Sequence, residues 1–257
     1  VKIHNVRKIN CLKELFPLQS LFRNRSFLVI LTYILMQLST GIVTAFLLMF
    51  TSLDQYDAII YPNIVSFSVG LIIIYLILKE DLHNERLENP LAISRIIGWA
   101  LLGMIIAYFS QGIAGAIEMY VLDIQPGSEN TEVIVGLLEK NIIFLLLPAI
   151  LGPIIEELVF RKVIFGALRK RMNLHLATVI GALIFALAHF DFAHTLIYFV
   201  MGLVFTFLYV KTKRIIVPIL AHMGINSLVV VIQMFVDVEE LEQILNELNV
   251  ILLGGWF

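Results

Sequence analysis

The stretch GPIIEELVFRKVIFGALRKR, residues 152–171, places two adjacent glutamates and an arginine directly after the apolar run 142–155. An ionisable side chain at the centre of a helix that crosses a membrane costs about 2.5–3.5 kcal/mol. Such groups therefore usually face the interior of a helix bundle and have partners there. The stretch predicts that Glu156, Glu157 and Arg161 belong to a polar site inside a membrane protein.

The composition extends this interpretation to the whole chain. Hydrophobic residues make up 60% of the 257 residues and charged residues only 15%, whereas average soluble domains are about 45–50% apolar. With a mean hydropathy of +0.93, the chain is predicted to be a polytopic membrane protein that lies in a lipid bilayer and has no nucleic acid partner. The single cysteine, Cys11, excludes an intramolecular disulfide and a CxxC motif.

Seven apolar segments match, or nearly match, the roughly 20 residues that a spanning helix needs. They are 27–50, 59–78, 96–117, 141 to about 168, 174–190, 194–210 and 215–236. The first segment is too long for the core of a signal peptide, so it is predicted to stay in the protein as the first span. The predicted fold is therefore all-α, a polytopic bundle of about seven transmembrane helices.

The basic residues fall on one side of this bundle. Of the 18 Lys and Arg, only Lys140 lies in a loop on the other side, where acids such as Asp54, Glu118 and Glu132 predominate. Cytoplasmic loops of membrane proteins carry an excess of Lys and Arg. This distribution predicts a cytoplasmic N-terminus and a C-terminus on the opposite side.

Three regions follow from this segmentation. Residues 1–26 combine basic residues with leucines and phenylalanines, which is typical of an amphipathic segment on the anionic cytoplasmic leaflet. Residues 27–236 are predicted to form one transmembrane domain, with its polar motifs in 141–236. Residues 237–257 place apolar side chains at helical spacing with glutamates opposite them, which predicts an acidic amphipathic tail lying on the membrane surface.

Helical spacing separates the two glutamates. Glu157 and Arg161 are four residues apart, so they share a helix face and can form an ion pair. Glu156 and Arg161 are five residues apart, about 140° at 100° per residue, and do not face each other. We therefore expect Arg161 to neutralise and position Glu157, while Glu156 stays free for chemistry.

Other residues in the spans follow the same four-residue rule. His222 and Asn226 are predicted to point to one side of the last span. The ring of Phe185 is expected to cover one face of His189.

The residues before the glutamates predict an irregular helix. Pro148, Gly152 and Pro153 free backbone groups and bend a helix. A membrane span tolerates this only where other protein groups or water satisfy the freed groups.

Each of these features also has a purely structural interpretation. The Glu157–Arg161 pair could simply hold the bundle together. His189 could be a satisfied polar group near the membrane interface, and His194 beside Asp191 is expected to be an interfacial residue. The combination is harder to explain in this way, because one carboxylate, two histidines and an amide are the usual components for activating water and stabilising an oxyanion.

The three polar motifs occur in a recognisable order. EELVFR (156–161) fits EExxxR, FALAH (185–189) fits FxxxH, and HMGIN (222–226) fits HxxxN. With these motifs on successive apolar segments, the chain resembles the CPBP family of CAAX proteases and bacteriocin-processing enzymes, also called the Abi family. The resemblance implies a helical bundle of the bacterial cytoplasmic membrane that hydrolyses peptide bonds of a membrane-associated peptide or protein.

The resemblance also implies roles for the motif residues. Glu156 and His189 would activate the water, and His222 and Asn226 would hold the oxyanion. The second glutamate and the arginine of the first motif would form the supporting pair. A general base of this kind needs a raised pKa, which burial in an apolar bundle provides.

Metal dependence is left open by the sequence. Glu156, His189 and His222 could form a zinc site of two histidines and one carboxylate with an open position for water. Members of the family are described both as metalloproteases and as metal-free glutamate proteases, and the chain lacks an HExxH motif. The metal-free interpretation, with no cofactor, is preferred.

Simple counting along the predicted spans leaves one difficulty. His189 lies about 22 Å from Leu174 at 1.5 Å per residue, whereas His222 lies only about 12 Å from Arg214. If both spans began at the same membrane surface, the two histidines would not meet.

Two alternatives to a protease use the same residues. One is a membrane protein without catalysis, such as a bacteriocin-immunity factor or a binding protein, because family members with immunity roles exist. The other is a transporter, for which an inverted repeat would be expected, and no internal repeat is visible in the sequence.

Overall fold

A computed structural model of the chain describes residues 24–125 and 129–235. Within these residues the chain forms helices and no strands, which confirms the predicted all-α bundle. We number the helices α1 (Arg25–Phe50), α2 (Gln55–Glu88), α3 (Ile93–Val121), α4 (Glu129–Lys140), α5 (Ile142–Arg169), α6 (Leu174–Leu187), α7 (Thr195–Thr212) and α8 (Ile216–Phe235). Nearly all of the predicted N-terminal segment 1–26 and the whole predicted tail 237–257 lie outside the described residues.

The helices correspond to the predicted spans. Helices α1, α2, α3, α5 and α7 are long and apolar enough to cross a membrane, while α6 and the described part of α8 are shorter apolar helices. Large apolar side chains such as Ile42 and Phe109 are more than 60% exposed. Contiguous exposure of this kind is expected where lipid, and not water, surrounds the protein.

Helix α4 is an element that the sequence analysis missed. Its twelve residues are too few and too mixed in charge to have suggested a span. Leu137 and Leu138 are buried against Ile60, Phe144 and Val230. The helix therefore packs on the ends of α2, α5 and α8 through its apolar face.

Helix α5 departs from regular α geometry on both sides of Glu156. Leu147–Leu151 and Glu157–Phe165 are π-helical, with Gly152–Glu156 as a short α-helical segment between them. Hydrogen bonds in a π-helix join residues five apart, and such segments occur often at functional sites. The predicted irregularity is confirmed, but the assumption of 100° per residue after Glu156 is wrong.

A proline explains one of the freed backbone groups. Gly152 donates its N–H to the carbonyl of Leu147, five residues earlier. The next such donor would be Pro153, which has no N–H, so the carbonyl of Pro148 lacks its helical partner. The amide Nδ2 of Asn226 donates to that carbonyl instead, at 3.1 Å, and so joins α8 to the irregular part of α5.

The bundle places α5 among its neighbours. Helix α1 packs on α2, α6 packs on α7, and α3 packs against both α7 and α8. Helices α6 and α7 approach closely at Gly202, where a Cβ atom would lie 2.9 Å from the Cα of Ala182. Through this close packing, α7 lies beside the motif residues of α5 and α6.

A buried carboxylate at the basic end fixes the start of α8. Glu85, near the end of α2, accepts hydrogen bonds from Ile215 N at 2.7 Å and from the Tyr209 hydroxyl at 3.1 Å, and it pairs with Lys162. The start of α8 is thus tied to Lys162, a residue seven positions before the end of α5, and not to the α5–α6 turn. Despite the counting difficulty, His189 and His222 both reach Glu156.

Candidate active site

Glu156 ends the short α-helical segment of α5 and lies on a cavity of about 800 Å³. Its Oε2 is 3.9 Å from His189 Nε2 and 3.8 Å from His222 Nε2. Both distances exceed a direct hydrogen bond, but each is short enough for one water to bridge the two groups. The same cavity is lined by His189, His222 and Asn226, so the structure brings the four residues of the predicted catalytic set to one space.

The backbone and Glu157 fix the orientation of the two imidazoles. His189 Nδ1 lies 2.8 Å from the carbonyl oxygen of Phe185, and His222 Nδ1 lies 2.8 Å from Glu157 Oε1. Carbonyl and carboxylate oxygens only accept, so each Nδ1 must carry the hydrogen. In the neutral histidines, both Nε2 lone pairs therefore face the carboxylate of Glu156.

Glu157 and Arg161 form the ion pair that their spacing predicts, and both are almost completely buried. Arg161 Nη1 is 3.1 Å from Glu157 Oε1. The guanidinium also lies over the ring of Phe185, 4.0 Å from its centroid, and over the ring of Phe205 at 5.3 Å. Such cation–π contacts are strongest where water is excluded. The pair thus balances its charges inside the bundle, and through His222 it reaches the cavity.

Asn226 serves the bend in α5 as well as lining the cavity. One of its two amide hydrogens is donated to Pro148. An amide side chain has two N–H donors, so the second hydrogen is the one that an oxyanion could receive. The helical spacing of His222 and Asn226 correctly predicted that they share a side of α8, but not the contact with Pro148.

Aromatic rings hold both histidines. Phe185 and His189 are in contact, as their spacing predicts, with ring centroids 4.6 Å apart, but the arrangement is edge-to-face and not the predicted covering of one face. Tyr198 stacks on His189 at 4.1 Å, and Phe205 stacks on His222 at 4.3 Å. Neither stacking ring is predicted by the sequence, because both come from α7, at no fixed spacing from the motifs.

His194 has a partner that the sequence does not predict. The sequence predicts His194 as an interfacial residue beside Asp191 and places Glu118 in an acidic loop. Instead, both side chains are buried, and His194 Nδ1 lies 2.8 Å from Glu118 Oε2. The backbone N–H of His194 does contact Asp191, at 3.3 Å. No local pattern could have revealed the pairing, since the two residues are 76 positions apart.

The three residues of the alternative zinc site are spaced more widely than the ligands of a zinc ion. Zinc ligands bind at about 2.0–2.1 Å in a tetrahedron, which holds the ligand atoms about 3.3 Å apart. Both distances from Glu156 are about half an ångström longer. Across residues 24–125 and 129–235, no group of three or more His, Cys, Asp or Glu side chains is arranged to hold a metal ion.

Comparisons with known proteins place this site in a family. Residues 138–228 match the family described as Type II CAAX prenyl endopeptidase Rce1-like. The Bacillus subtilis (strain 168) protein named membrane peptidase YdiL is 40% identical over 246 residues, which cover 91% of this chain and 99% of that protein. The Staphylococcus aureus (strain USA300) membrane-embedded CAAX protease MroQ is 35% identical over 225 residues, covering 81% and 89%. No solved structure is a significant match.

The matched family region contains the whole motif set, from Glu156 to Asn226, that carried the resemblance in the sequence. Both relatives also extend over the helices before it, so the similarity is not confined to the motifs. The chain therefore belongs to the Rce1-like family of CAAX prenyl endopeptidases, which are membrane proteases.

Proposed function

We propose that the protein is an intramembrane endopeptidase in which Glu156 and His189 activate a water molecule and His222 and Asn226 hold the oxyanion. The observation that carries the proposal is the convergence of two histidines on one carboxylate, with each Nε2 atom within 3.9 Å of Glu156 Oε2, on a cavity inside a membrane bundle. The substrate is a membrane-associated peptide or protein, whose peptide bond would enter this cavity.

The reaction uses each group in the position it occupies. The water attacks the peptide carbonyl carbon and passes its proton to Glu156, with His189 Nε2 holding the water in place. The carbonyl oxygen becomes an oxyanion and receives hydrogen bonds from His222 Nε2–H and the second N–H of Asn226. The C–N bond then breaks, and the proton on Glu156 moves to the leaving amine.

His222 donates to the oxyanion from Nε2–H in its protonated form, with a carboxylate behind the ring. Glu157 Oε1 accepts from its Nδ1 at 2.8 Å. A buried carboxylate behind an imidazole stabilises the imidazolium. Arg161 contacts the same carboxylate oxygen at 3.1 Å.

The test is to find membrane peptides that accumulate when Glu156 is replaced. Membranes from cells with wild-type protein, Glu156→Gln and Glu80→Gln are compared by peptide mass spectrometry. Glu80 is an exposed carboxylate at the basic end of α2, paired with Arg25, so Glu80→Gln is the matched control. We expect uncleaved peptides only with Glu156→Gln. Identical profiles in all three strains would favour a non-catalytic binding or immunity protein.

We propose further that the reaction needs no metal ion. The wide spacing of the three site residues supports this. Dialysis of the purified protein against a strong chelator should leave cleavage unchanged. A loss that added zinc reverses would overturn the metal-free mechanism and leave the protease assignment standing.

The charge distribution supports a proposal for access. The basic end of the bundle is cytoplasmic, and the cavity takes in Gln125 and Val133 at the other end. Substrates would then enter from the non-cytoplasmic side. In a Cys11→Ser background, a membrane-impermeant maleimide should label Lys140→Cys in intact cells and Lys170→Cys only after permeabilisation. The reverse labelling would place the cavity on the cytoplasmic side.

A further inference from the structure

We propose that Glu118 is a positioning residue for catalysis, acting through the first turn of α7 and the Tyr198 ring on His189. This inference rests on the proposed function for His189. It is based on the end of helix α6 just before His189 and on the contacts that hold the imidazole ring in place.

His189 lies just beyond α6, where the chain is no longer helical. Helix α6 ends at Leu187, and Phe190 has a positive φ of 56°. A non-glycine residue in this region is uncommon and marks a sharp turn of the chain. The imidazole is therefore carried by a turn, and besides the contact of its Nδ1 with the carbonyl of Phe185 its position depends on the side chains packed around it.

The ring of Tyr198 is the flat surface against which that imidazole lies. The two rings are 4.1 Å apart and within 24° of parallel. Phe185 meets the imidazole only by an edge. The stacking partner thus fixes the plane of the ring, and with it the direction of the Nε2 lone pair toward Glu156.

Tyr198 belongs to the first turn of α7, whose amides need acceptors from outside the helix. The residue before the helix, His194, makes no side-chain capping bond to it. Glu118 of α3 supplies the acceptor instead. Its Oε1 accepts from Ile197 N at 3.2 Å, while its Oε2 takes His194 Nδ1 at 2.8 Å.

Glu118 is only 2% exposed, so these two hydrogen bonds form away from bulk water. A negative charge is favoured at a helix N-terminus, where the helix dipole is positive. Glu118 therefore anchors the start of α7 to α3 at two points. The chain of contacts runs from Glu118 through Ile197 and its neighbour Tyr198 to His189.

A double-mutant cycle tests whether Glu118 acts through Tyr198. The variants are Glu118→Gln, Tyr198→Leu and the combination of the two. Cleavage is measured on a peptide found with Glu156→Gln. Each single change should lower kcat about 3- to 10-fold, the range of an aromatic stacking contact, with KM within about twofold. The double variant should lose no more than Tyr198→Leu alone.

Two further variants separate positioning from general damage. Tyr198→Phe keeps the ring and should recover most of the kcat that Tyr198→Leu loses. Tyr75→Leu removes an exposed tyrosine of α2 and should change nothing. Losses that multiply in the double variant, or a Tyr198→Phe as slow as Tyr198→Leu, would overturn the proposal.

A second measurement does not depend on turnover. The ring signals of His189 in isotope-labelled protein, assigned with His189→Gln, should shift in the same direction in Glu118→Gln and Tyr198→Leu. An unmoved signal in Glu118→Gln would overturn the positioning role even if no substrate is ever found. If Glu118→Gln does not fold, His194→Gln removes one of the two bonds and replaces it in both experiments.

Discussion

Glu156 and Glu157 are neighbours in the chain but lie in opposite surroundings. The side chain of Glu156 is 23% exposed on the cavity, and it faces two imidazole nitrogens at distances that water can bridge. The side chain of Glu157 is fully buried, contacts Arg161, and accepts a hydrogen bond from His222. One carboxylate is placed where a water can reach it, and the other in the core of the bundle.

The difference shows how a membrane bundle can hold two acids with different tasks. Adjacent side chains on a helix point in different directions, so one step in sequence moves a carboxylate from the cavity to the core. The buried acid is paired with a cation, Arg161. The acid on the cavity faces two histidines, a residue type that can exchange protons with an acid and with a water.

The largest expected effect comes from replacing the carboxylate on the cavity, Glu156. Glu156→Gln keeps the shape of the side chain but removes the proton acceptor, and general-base catalysis is worth about 10²–10⁴-fold. Cleavage should fall by at least two orders of magnitude while the thermal melting of the detergent-solubilised protein stays unchanged. Cleavage within tenfold of wild type would show that the proton goes elsewhere.

The next largest effect comes from replacing the buried carboxylate, Glu157. Glu157→Gln leaves the Arg161 charge buried without its partner, and removing one member of a buried pair costs about 3–5 kcal/mol. The melting temperature should fall sharply, and kcat should fall because His222 loses its anionic acceptor. Both are measured on the purified protein, in one detergent, beside wild type.

A second substitution separates these two losses. In the Glu157→Gln background, Arg161→Met removes the uncompensated charge and should restore much of the melting temperature. It cannot restore the carboxylate behind His222, so kcat should stay low. If kcat returned together with stability, Glu157 would have no role in the reaction beyond holding the fold.

The sequence was sufficient to predict the parts of this site that depend on residues close together in the chain. Apolar length located the spans, and four-residue spacing paired Glu157 with Arg161 and Phe185 with His189. These features follow from helix geometry, which is the same in every protein. The prediction that Glu156 stays free of Arg161 used an α-helical angle, although the chain there continues as a π-helix.

The contacts between helices could not be predicted in this way. His222 meets Glu157 across 65 residues, and Glu118 meets His194 across 76. Such contacts depend on the depth and tilt of each helix, which the Glu85 anchor at the start of α8 helps to set. Helix α4 was missed for a related reason, because its apolar face becomes visible only against the ends of α2, α5 and α8.

The smallest expected effect tests the contact between the cavity site and the buried Glu157–Arg161 pair. Phe205 touches both, since it stacks on His222 at 4.3 Å and lies under the guanidinium of Arg161. Phe205→Leu keeps the apolar volume but removes the flat ring, and an aromatic contact is worth about 0.5–1.5 kcal/mol. We expect kcat to fall about 3- to 10-fold with little change in KM, measured beside Phe207→Leu, a matched change at an exposed position of the same helix. Because the ring contacts His222 directly, its loss should disturb the oxyanion donor more than it lowers the melting temperature. A variant that loses stability but keeps full kcat would show that Phe205 supports the buried Glu157–Arg161 pair and not the reaction.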